Sequence, residues 1–356
     1  MAEEKKIRSL AVSDTIRDER RQEVASKIAE QMRNGNAVWQ QKMDYAENKD
    51  FVLPYNIVNQ SKFTGYNMIE IFAHKGEEKI GPTQFFTFKQ ASIQGWRIKK
   101  GAKAIPIERH IKMDMGYKKD TASGESKFYK EKTDKPILYN EPVFSVNDLQ
   151  GEHEFSTINN ISEINISKFL ENAGIAVIKE KGLQKAFYSI TRDEIHTPTI
   201  EDDDKKGKKE YCSAILKNVV RAAGAPNRAF TKGIEGFADK LGSLSKLKNK
   251  FITELATMQL AMRTGLSYEP SLSELENRQI AGLIEKGPYN LVAMANQSAK
   301  IVTYVMVNSK KIEKNKGTIS NKSLAEEKLA AEKETKKCIV SKRKPKKAKQ
   351  VNAGAR

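Results

Sequence analysis

The hydrophobic period changes near Ser162, and this change limits the folds that the chain can adopt. Before it, short alternating apolar runs are separated by Gly and Pro, which is typical of strands and loops. After it, apolar residues recur at helical spacing, most clearly over residues 246–265. One helix precedes the strands, because Val24, Ile28 and Met32 form a single stripe. The pattern predicts an α+β fold with a strand-rich first half and a mainly helical second half.

Composition divides the 356 residues into four parts. We predict a flexible leader over residues 1–17, a first domain over 18–155, a second domain over 156–308 and a disordered Lys-rich tail over 309–356. The tail has too few apolar residues to offset the entropy of ordering it. No apolar run approaches the roughly 18 residues of a membrane span, and the N-terminus lacks the apolar stretch of a secretory signal. These features predict a cytoplasmic protein with no membrane partner.

The formal net charge of +18 indicates a polyanionic partner, of which nucleic acid is the commonest. Motifs for catalysis are missing from the sequence. The four histidines are scattered, the two cysteines have no metal-binding or disulfide spacing, and no nucleophile elbow or phosphate-binding loop occurs. We therefore expect no cofactor and no bound metal.

Residues 85–107 are the strongest positive signal, because they combine three Phe and one Trp with five Lys or Arg. Thr87 and Gln90 have capping-box spacing, which predicts a short helix from Phe88 to Gly95. Beyond it, apolar and basic residues alternate from Trp96 to Lys100, which predicts a strand.

Single-stranded nucleic acid is bound by cations along its phosphates and by rings that stack on its bases. The candidate rings are Trp39, Tyr66, Phe85, Phe88 and Trp96, and the candidate cations are Lys89, Arg97, Lys99, Lys100 and Lys103. In a strand, Arg97 and Lys99 face away from Trp96. This arrangement favours Phe88 and Lys89 as the ring and the cation that contact the nucleic acid. The alternative is purely structural: Phe86, Phe88 and Trp96 belong to the core, and the lysines form an ordinary solvated face.

The same region resembles the N-terminal single-stranded-DNA-binding domain of ArdC-type antirestriction proteins, a domain that also occurs in conjugative primase-like proteins. The matching positions are Pro54, Asn56, Phe63, Gly65, Asn67, Phe85, Thr87, Phe88, Lys89, Gln90, Ala91, Gly95, Arg97, Lys100 and Gly101. The sequence departs from the pattern at Phe85, where Trp is usual, and at Asn59-Gln60, where Thr-Gly is usual. By this resemblance, Asn56, Asn67 and Gln90 join the nucleic-acid-binding candidates.

The resemblance continues to about residue 308 and implies a zincin-like metallopeptidase domain with a His-Glu-x-x-His helix. The metal and general-base positions are occupied here by Lys217, Asn218 and Arg221, and a later helix keeps Glu254. Protonated Lys and Arg offer no lone pair to zinc, and Asn cannot act as a general base. We expect that peptidase activity is lost, and that Glu254 forms an ion pair with Lys217 or Arg221 instead.

These features predict a non-catalytic protein of a mobile element or phage that binds single-stranded DNA, with other nucleic acids as further ligands. By resemblance, it would protect incoming DNA. One alternative is a pseudo-peptidase that binds a host or replication protein through its second domain. Another is a hydrolase whose metal site the sequence does not reveal.

Overall fold

The computed structural model describes residues 7–310, except for 45–47, 49, 50, 77, 79, 120–122, 152, 154, 156–165, 200–204 and 226–242. Most of the predicted tail, from residue 311 onward, and the start of the predicted leader lie outside this part. In chain order the elements are β1 (Ile7–Ser9), α1 (Asp14–Arg33), β2 (Tyr55–Asn56), α2 (Tyr66–Ala73), β3 (Gln84–Thr87), α3 (Phe88–Gln94), β4 (Ile105–Lys119), β5 (Ser126–Ser145), α4 (Ile166–Asn172), β6 (Ala176–Glu180), β7 (Phe187–Ser189), β8 (Glu194–Pro198), α5 (Lys205–Ala223), α6 (Ser243–Thr264), α7 (Glu274–Lys286) and α8 (Pro288–Lys310).

The predicted α+β class is confirmed. The first half forms a sheet with the strand order β1-β4-β5-β3-β2, in which β2 and β3 are parallel and the other neighbours are antiparallel. In the second half, β6, β8 and β7 form a small sheet that the helical periodicity did not indicate. The remaining described elements of that half are helices.

The strands β4 and β5 form a long antiparallel ribbon. Their register shifts between Ile111 and Met113, which marks an irregularity in the ribbon. Near its end, Tyr117 and Phe128 are directly opposite each other, and their exposed rings meet edge to face at 5.6 Å. The base of the ribbon pairs with β3, which leads directly into α3.

The apolar stripe of α1 is buried as its spacing predicts, with Val24, Ile28 and Met32 each at most 1% exposed. This helix packs against α7 and α8, while α6 packs against α5 and α8. One continuous cluster of buried residues runs from Val24 to Val305 and takes members from both halves of the chain. The sheet of the first half and the helices of the second half therefore share a core.

Ionisable side chains join α1 to α2 and to β4. Arg21 donates both guanidinium hydrogen bonds to the Glu108 carboxylate, at 2.9 and 2.8 Å. Next to it, Nε of Arg20 lies 3.0 Å from Oε1 of Glu70, whose side chain is fully buried. Burial raises the pKa of Glu70 to about 8, and Arg20 opposes the increase.

Gly65 allows α2 to begin close to α8. Its φ of +60° lies in the left-handed region, and a Cβ placed there would sit 2.5 Å from Oδ1 of Asn296. That same oxygen accepts a hydrogen bond from the Tyr66 amide at 3.0 Å. A side chain at position 65 would therefore displace the group that caps the helix.

None of the helices described here combines the length and apolarity needed to cross a bilayer.

Candidate nucleic-acid interface

Helix α3 begins and ends where the sequence predicts. The Thr87 hydroxyl accepts from the Gln90 amide at 3.2 Å, and the Gln90 side chain accepts from the Thr87 amide at 2.8 Å, which forms the capping box. Gly95 ends the helix with a left-handed φ of +70°. Since these signals are local in sequence, they needed no information about the rest of the fold.

Asn56 and Gln90 hold this helix in place. Their side-chain amides exchange two hydrogen bonds, at 2.9 and 3.1 Å, and Oδ1 of Asn56 also accepts from the amides of Val58 and Asn59. Because both side chains are largely engaged by the protein, they position α3 rather than present free groups to a ligand. The structure gives these two candidates a scaffolding role.

Asn67 is similarly occupied. Its side chain donates to the Glu108 carbonyl oxygen at 2.9 Å and accepts from the Glu108 amide at 3.0 Å. These two hydrogen bonds join α2 to the backbone of β4 at Glu108, which pairs with β5 along its opposite edge. Asn67 therefore orders the fold behind the candidate surface.

One face of α3 carries an exposed ring, an exposed aliphatic side chain and a cation. Phe88 is 67% exposed and Ile93 is 70% exposed, and Lys89 between them is exposed as well. Two large apolar side chains exposed together on one short helix, beside a basic residue, form a candidate binding surface. Ile93 was not among the sequence candidates, although its place four residues after Lys89 on a correctly predicted helix could have suggested it.

The loop after α3 carries the other cations. Arg97, Lys99, Lys100 and Lys103 are all exposed. The strand predicted over residues 96–100 is wrong: these residues form a loop, with Ile98 pairing with Leu149 in an isolated bridge. An alternating pattern specifies a strand only where a neighbouring strand runs alongside it, and β4 pairs with β5 instead. Lys89 and these four cations are thus all exposed on α3 and the loop that follows it.

Trp39, Tyr66 and Phe85 are core residues in this structure, at 1%, 3% and 0% exposed. Trp39 packs edge to face on Phe251, and Phe85 does the same on Phe63. Burial raises the pKa of the Tyr66 hydroxyl, whose ring lies beneath the Arg21 guanidinium. A ring buried to this degree presents no face to a base, so these three are corrected from stacking candidates to core residues.

Trp96 is half-buried and belongs to a second, smaller cluster around Phe86. Its ring contacts Phe86 edge to face at 5.5 Å. The alternative that these rings belong to the core is therefore correct for Phe86 and partly correct for Trp96, whereas Phe88 lies outside the core.

The positions that correspond to a zincin metal site lie on α5 and α6. The Asn218 side chain donates to the Ala214 carbonyl at 2.9 Å, and Arg221 donates a 3.4 Å bond to Asn218. Burial lowers the pKa of both Lys217 and Arg221, while the charge of Glu254 acts in the opposite direction. The two cations thus lie in a partly desolvated position near an acidic group.

Glu254 does not form the expected ion pair with Lys217 or Arg221. It is 2% exposed, and its carboxylate accepts from the Tyr268 hydroxyl at 2.5 Å, from the Ser271 amide at 2.9 Å and from the Ser271 hydroxyl. Burial and the neighbouring carboxylate raise the pKa of Tyr268. Uncharged donors therefore satisfy Glu254, and the cations influence it only through space.

These side chains do not fit a divalent metal. Protonated Lys217 and Arg221 supply no lone pair, and Glu254 already accepts three hydrogen bonds from the protein. Across the part of the chain that the structure describes, no three His, Cys, Asp or Glu side chains group as metal ligands would. No step of a metal-dependent reaction can be derived from this donor set.

The first half of the chain falls in the class of antirestriction-type N-terminal domains, as a family comparison shows. Residues 18–144 match the family model described as the N-terminal domain of anti-restriction factor ArdC. This part of the chain is therefore an ArdC-type N-terminal domain, and the resemblance inferred from the sequence is confirmed.

Solved structures extend the likeness to most of the chain. Two crystal structures of the antirestriction protein ArdC from plasmid R388, one metal-free and one with Mn(II) bound, align with TM-scores of 0.61 and 0.60. Sequence identity is 18% and 16%, over 83% and 82% of this chain and 99% of each of the two. The chain is thus ArdC-like in fold beyond its N-terminal domain.

Two curated relatives, both DNA primase TraC from Escherichia coli, are each 22% identical over 302 and 303 residues. The matches include 82% and 81% of this chain. They span only 27% and 20% of the length of the relatives.

Proposed function

We propose that the chain is a non-catalytic single-stranded-DNA-binding protein with an antirestriction role on a plasmid or other mobile element. The observation that carries the proposal is the exposed Phe88 ring, set among exposed cations on an ArdC-type N-terminal domain. The likeness to the R388 antirestriction protein supports the plasmid-associated role.

In this mechanism the lysines and arginines attract and neutralise phosphates, and Phe88 stacks on a base. The cations supply affinity for any nucleic acid, and this contribution weakens steeply with salt. Stacking requires an accessible base face, which a single strand offers and an intact duplex does not. A strand held in this way is withheld from host nucleases and restriction enzymes without any chemical step.

We also propose that the second half has no zinc-peptidase activity. The support is the donor set, since Lys217, Asn218 and Arg221 cannot replace two imidazoles and a general base. The test is elemental analysis of the purified, full-length chain. Zinc well below one atom per chain is expected, and stoichiometric zinc would overturn the proposal.

Binding is tested by fluorescence anisotropy with labelled single-stranded DNA, duplex DNA and single-stranded RNA of equal length. Phe88→Ala is expected to weaken single-strand binding by about 5- to 150-fold, the range that corresponds to about 1–3 kcal/mol for one stacked base. Duplex binding should change little. Comparing single-stranded RNA with single-stranded DNA shows whether the protein distinguishes ribose from deoxyribose.

Leu275→Ala is the matched control for Phe88→Ala, because Leu275 on α7 is 66% exposed and lies outside the α3 surface. It should leave all three affinities unchanged. Equal affinity of wild type and Phe88→Ala for the single strand would remove stacking from the mechanism. Failure of the wild type to bind any nucleic acid would remove the function.

A further inference from the structure

A cleft of about 410 Å³ lies beside the loop that follows α3. Lys99 lines one side, and Asn147, His153 and Phe155 line the other. Its size falls within the about 300–1,000 Å³ typical of small-molecule sites. None of its lining residues except Lys99 was a sequence candidate.

Backbone hydrogen bonds fix the two sides of the cleft to each other. The Lys99 amide donates to the Asp148 carbonyl at 2.7 Å, and the Gln150 amide donates to the Arg97 carbonyl at 2.8 Å. Between them, Ile98 and Leu149 form an antiparallel bridge. The cleft is therefore held by the main chain and does not depend on mobile side chains alone.

One wall of the cleft is aromatic. The rings of His153 and Phe155 are stacked, with centroids 5.8 Å apart and planes inclined by 21°. Trp96 supports the pair by meeting Phe155 edge to face at 5.3 Å. His153 is exposed, so the stack has an accessible ring on which a flat ligand can continue it.

The polar groups of the cleft match a flat ligand that carries an anion. Nζ of Lys99 donates to the Asn147 carbonyl at 2.8 Å and keeps two further hydrogens. The Asn147 side-chain amide makes no hydrogen bond within the described residues. Its NH2 group and its carbonyl oxygen can therefore donate to and accept from a base edge together. None of the described residues that line the cleft is Asp or Glu.

We propose that this cleft takes one unpaired nucleobase of the bound strand, stacked on His153 and with its phosphate near Lys99. The proposal rests on the proposed function and adds a second base-binding position to that of Phe88. Because a paired base cannot enter the cleft without leaving its stack, the cleft contributes to single-strand binding only.

The test is anisotropy with single-stranded and duplex DNA on the full chain, at a salt concentration that suppresses the ionic contribution. His153→Ala should weaken single-strand binding by about 5- to 150-fold and leave duplex binding unchanged, whereas His153→Tyr should restore single-strand binding. Phe187→Ala is the matched control, because Phe187 is another partly exposed ring stacked on a histidine, His196, in the second half of the chain. It should change neither affinity.

A second measurement reports on stacking itself, while the unchanged duplex binding shows that the variants are folded. An oligonucleotide with one 2-aminopurine should lose fluorescence on binding wild type, and less of it on binding Asn147→Ala or His153→Ala. If His153→Ala binds the single strand as tightly as Phe187→Ala does, the cleft inference is wrong, and Phe88→Ala still tests the proposed function separately. If the wild type binds no single strand, both proposals fall.

Discussion

Single residues show which candidates a sequence can identify and which it cannot. Thr87, Gln90 and Gly95 were interpreted correctly because capping depends on neighbours within a few positions. Trp39 was misassigned because its burial depends on Phe251, more than 200 positions later in the chain. The exposed partners of the cleft, His153 and Asn147, carry no local signal, since only the folded loops bring them next to Lys99.

At the residue scale, Glu70 should make stability depend on pH. Its folded pKa of about 8 lies above the unfolded value of 4.5, so the native state binds more protons between these two pH values. The free energy of unfolding therefore falls as pH rises from about 4.5 to 8, by at most about 1.4 kcal/mol per pH unit. Glu70→Gln keeps the neutral shape and should lose most of this fall. Urea denaturation at pH 5 and pH 8 measures the difference.

The control for Glu70 is Glu274→Gln, since the Glu274 carboxylate is exposed and pairs with Arg278 within α7. It should show the pH dependence of the wild type. A Glu70→Gln variant with the same pH slope as the wild type would show that Glu70 is ionised in the native state at pH 7.

Tyr268 and Glu254 yield a second residue-scale prediction. Tyr268→Phe removes a hydroxyl that contacts both the Glu254 carboxylate and the Trp39 carbonyl. Losing a donor to a buried carboxylate should cost about 1–3 kcal/mol of unfolding free energy. Tyr304→Phe on α8 is the comparison, because its hydroxyl makes no hydrogen bond within the described residues. Equal stability of the two variants would contradict a structural role for this contact.

Among the elements, α3 was predicted accurately and the segment after it was not. The helix depends on its own caps, whereas a strand depends on a partner that local alternation does not specify. The same reason explains the small sheet of β6, β8 and β7, whose parallel β6–β8 pairing skips over β7 between them in the chain. Helices with a clear stripe, such as α1, were predicted because their periodicity alone defines the buried face.

For α3, removal of the cap should affect both stability and binding. Thr87→Ala should cost about 0.5–2 kcal/mol and weaken single-strand binding, because the helix positions Phe88 and Lys89. Thr87→Ser keeps the hydroxyl and should behave as the wild type. Urea denaturation and anisotropy on the same samples measure both effects. Unchanged stability in Thr87→Ala would show that the Asn56–Gln90 pair is sufficient to hold the helix.

At the scale of the whole molecule, the shared core predicts that the two halves unfold together. Phe251→Ala should reduce the free energy of unfolding by about 3–5 kcal/mol. Because the rings of Phe251 and Trp39 are in contact, it should lower the unfolding temperature measured by tryptophan fluorescence as well as that measured by circular dichroism. Calorimetry of the full-length chain should show a single unfolding transition. Two transitions, of which Phe251→Ala shifts only one, would show that the predicted domains 18–155 and 156–308 fold separately.

The salt dependence of single-stranded DNA binding tests the central proposal most directly. Replacing Lys99, Lys100 and Lys103 with Ala should reduce the slope of log K against log salt by about 2, at about 0.7 for each phosphate contact on a single strand. Phe88→Ala should lower K at every salt concentration and leave the slope unchanged, because stacking releases no counterions. If Phe88→Ala instead changes nothing while the lysine variant weakens single-strand and duplex binding equally, charge alone explains the binding.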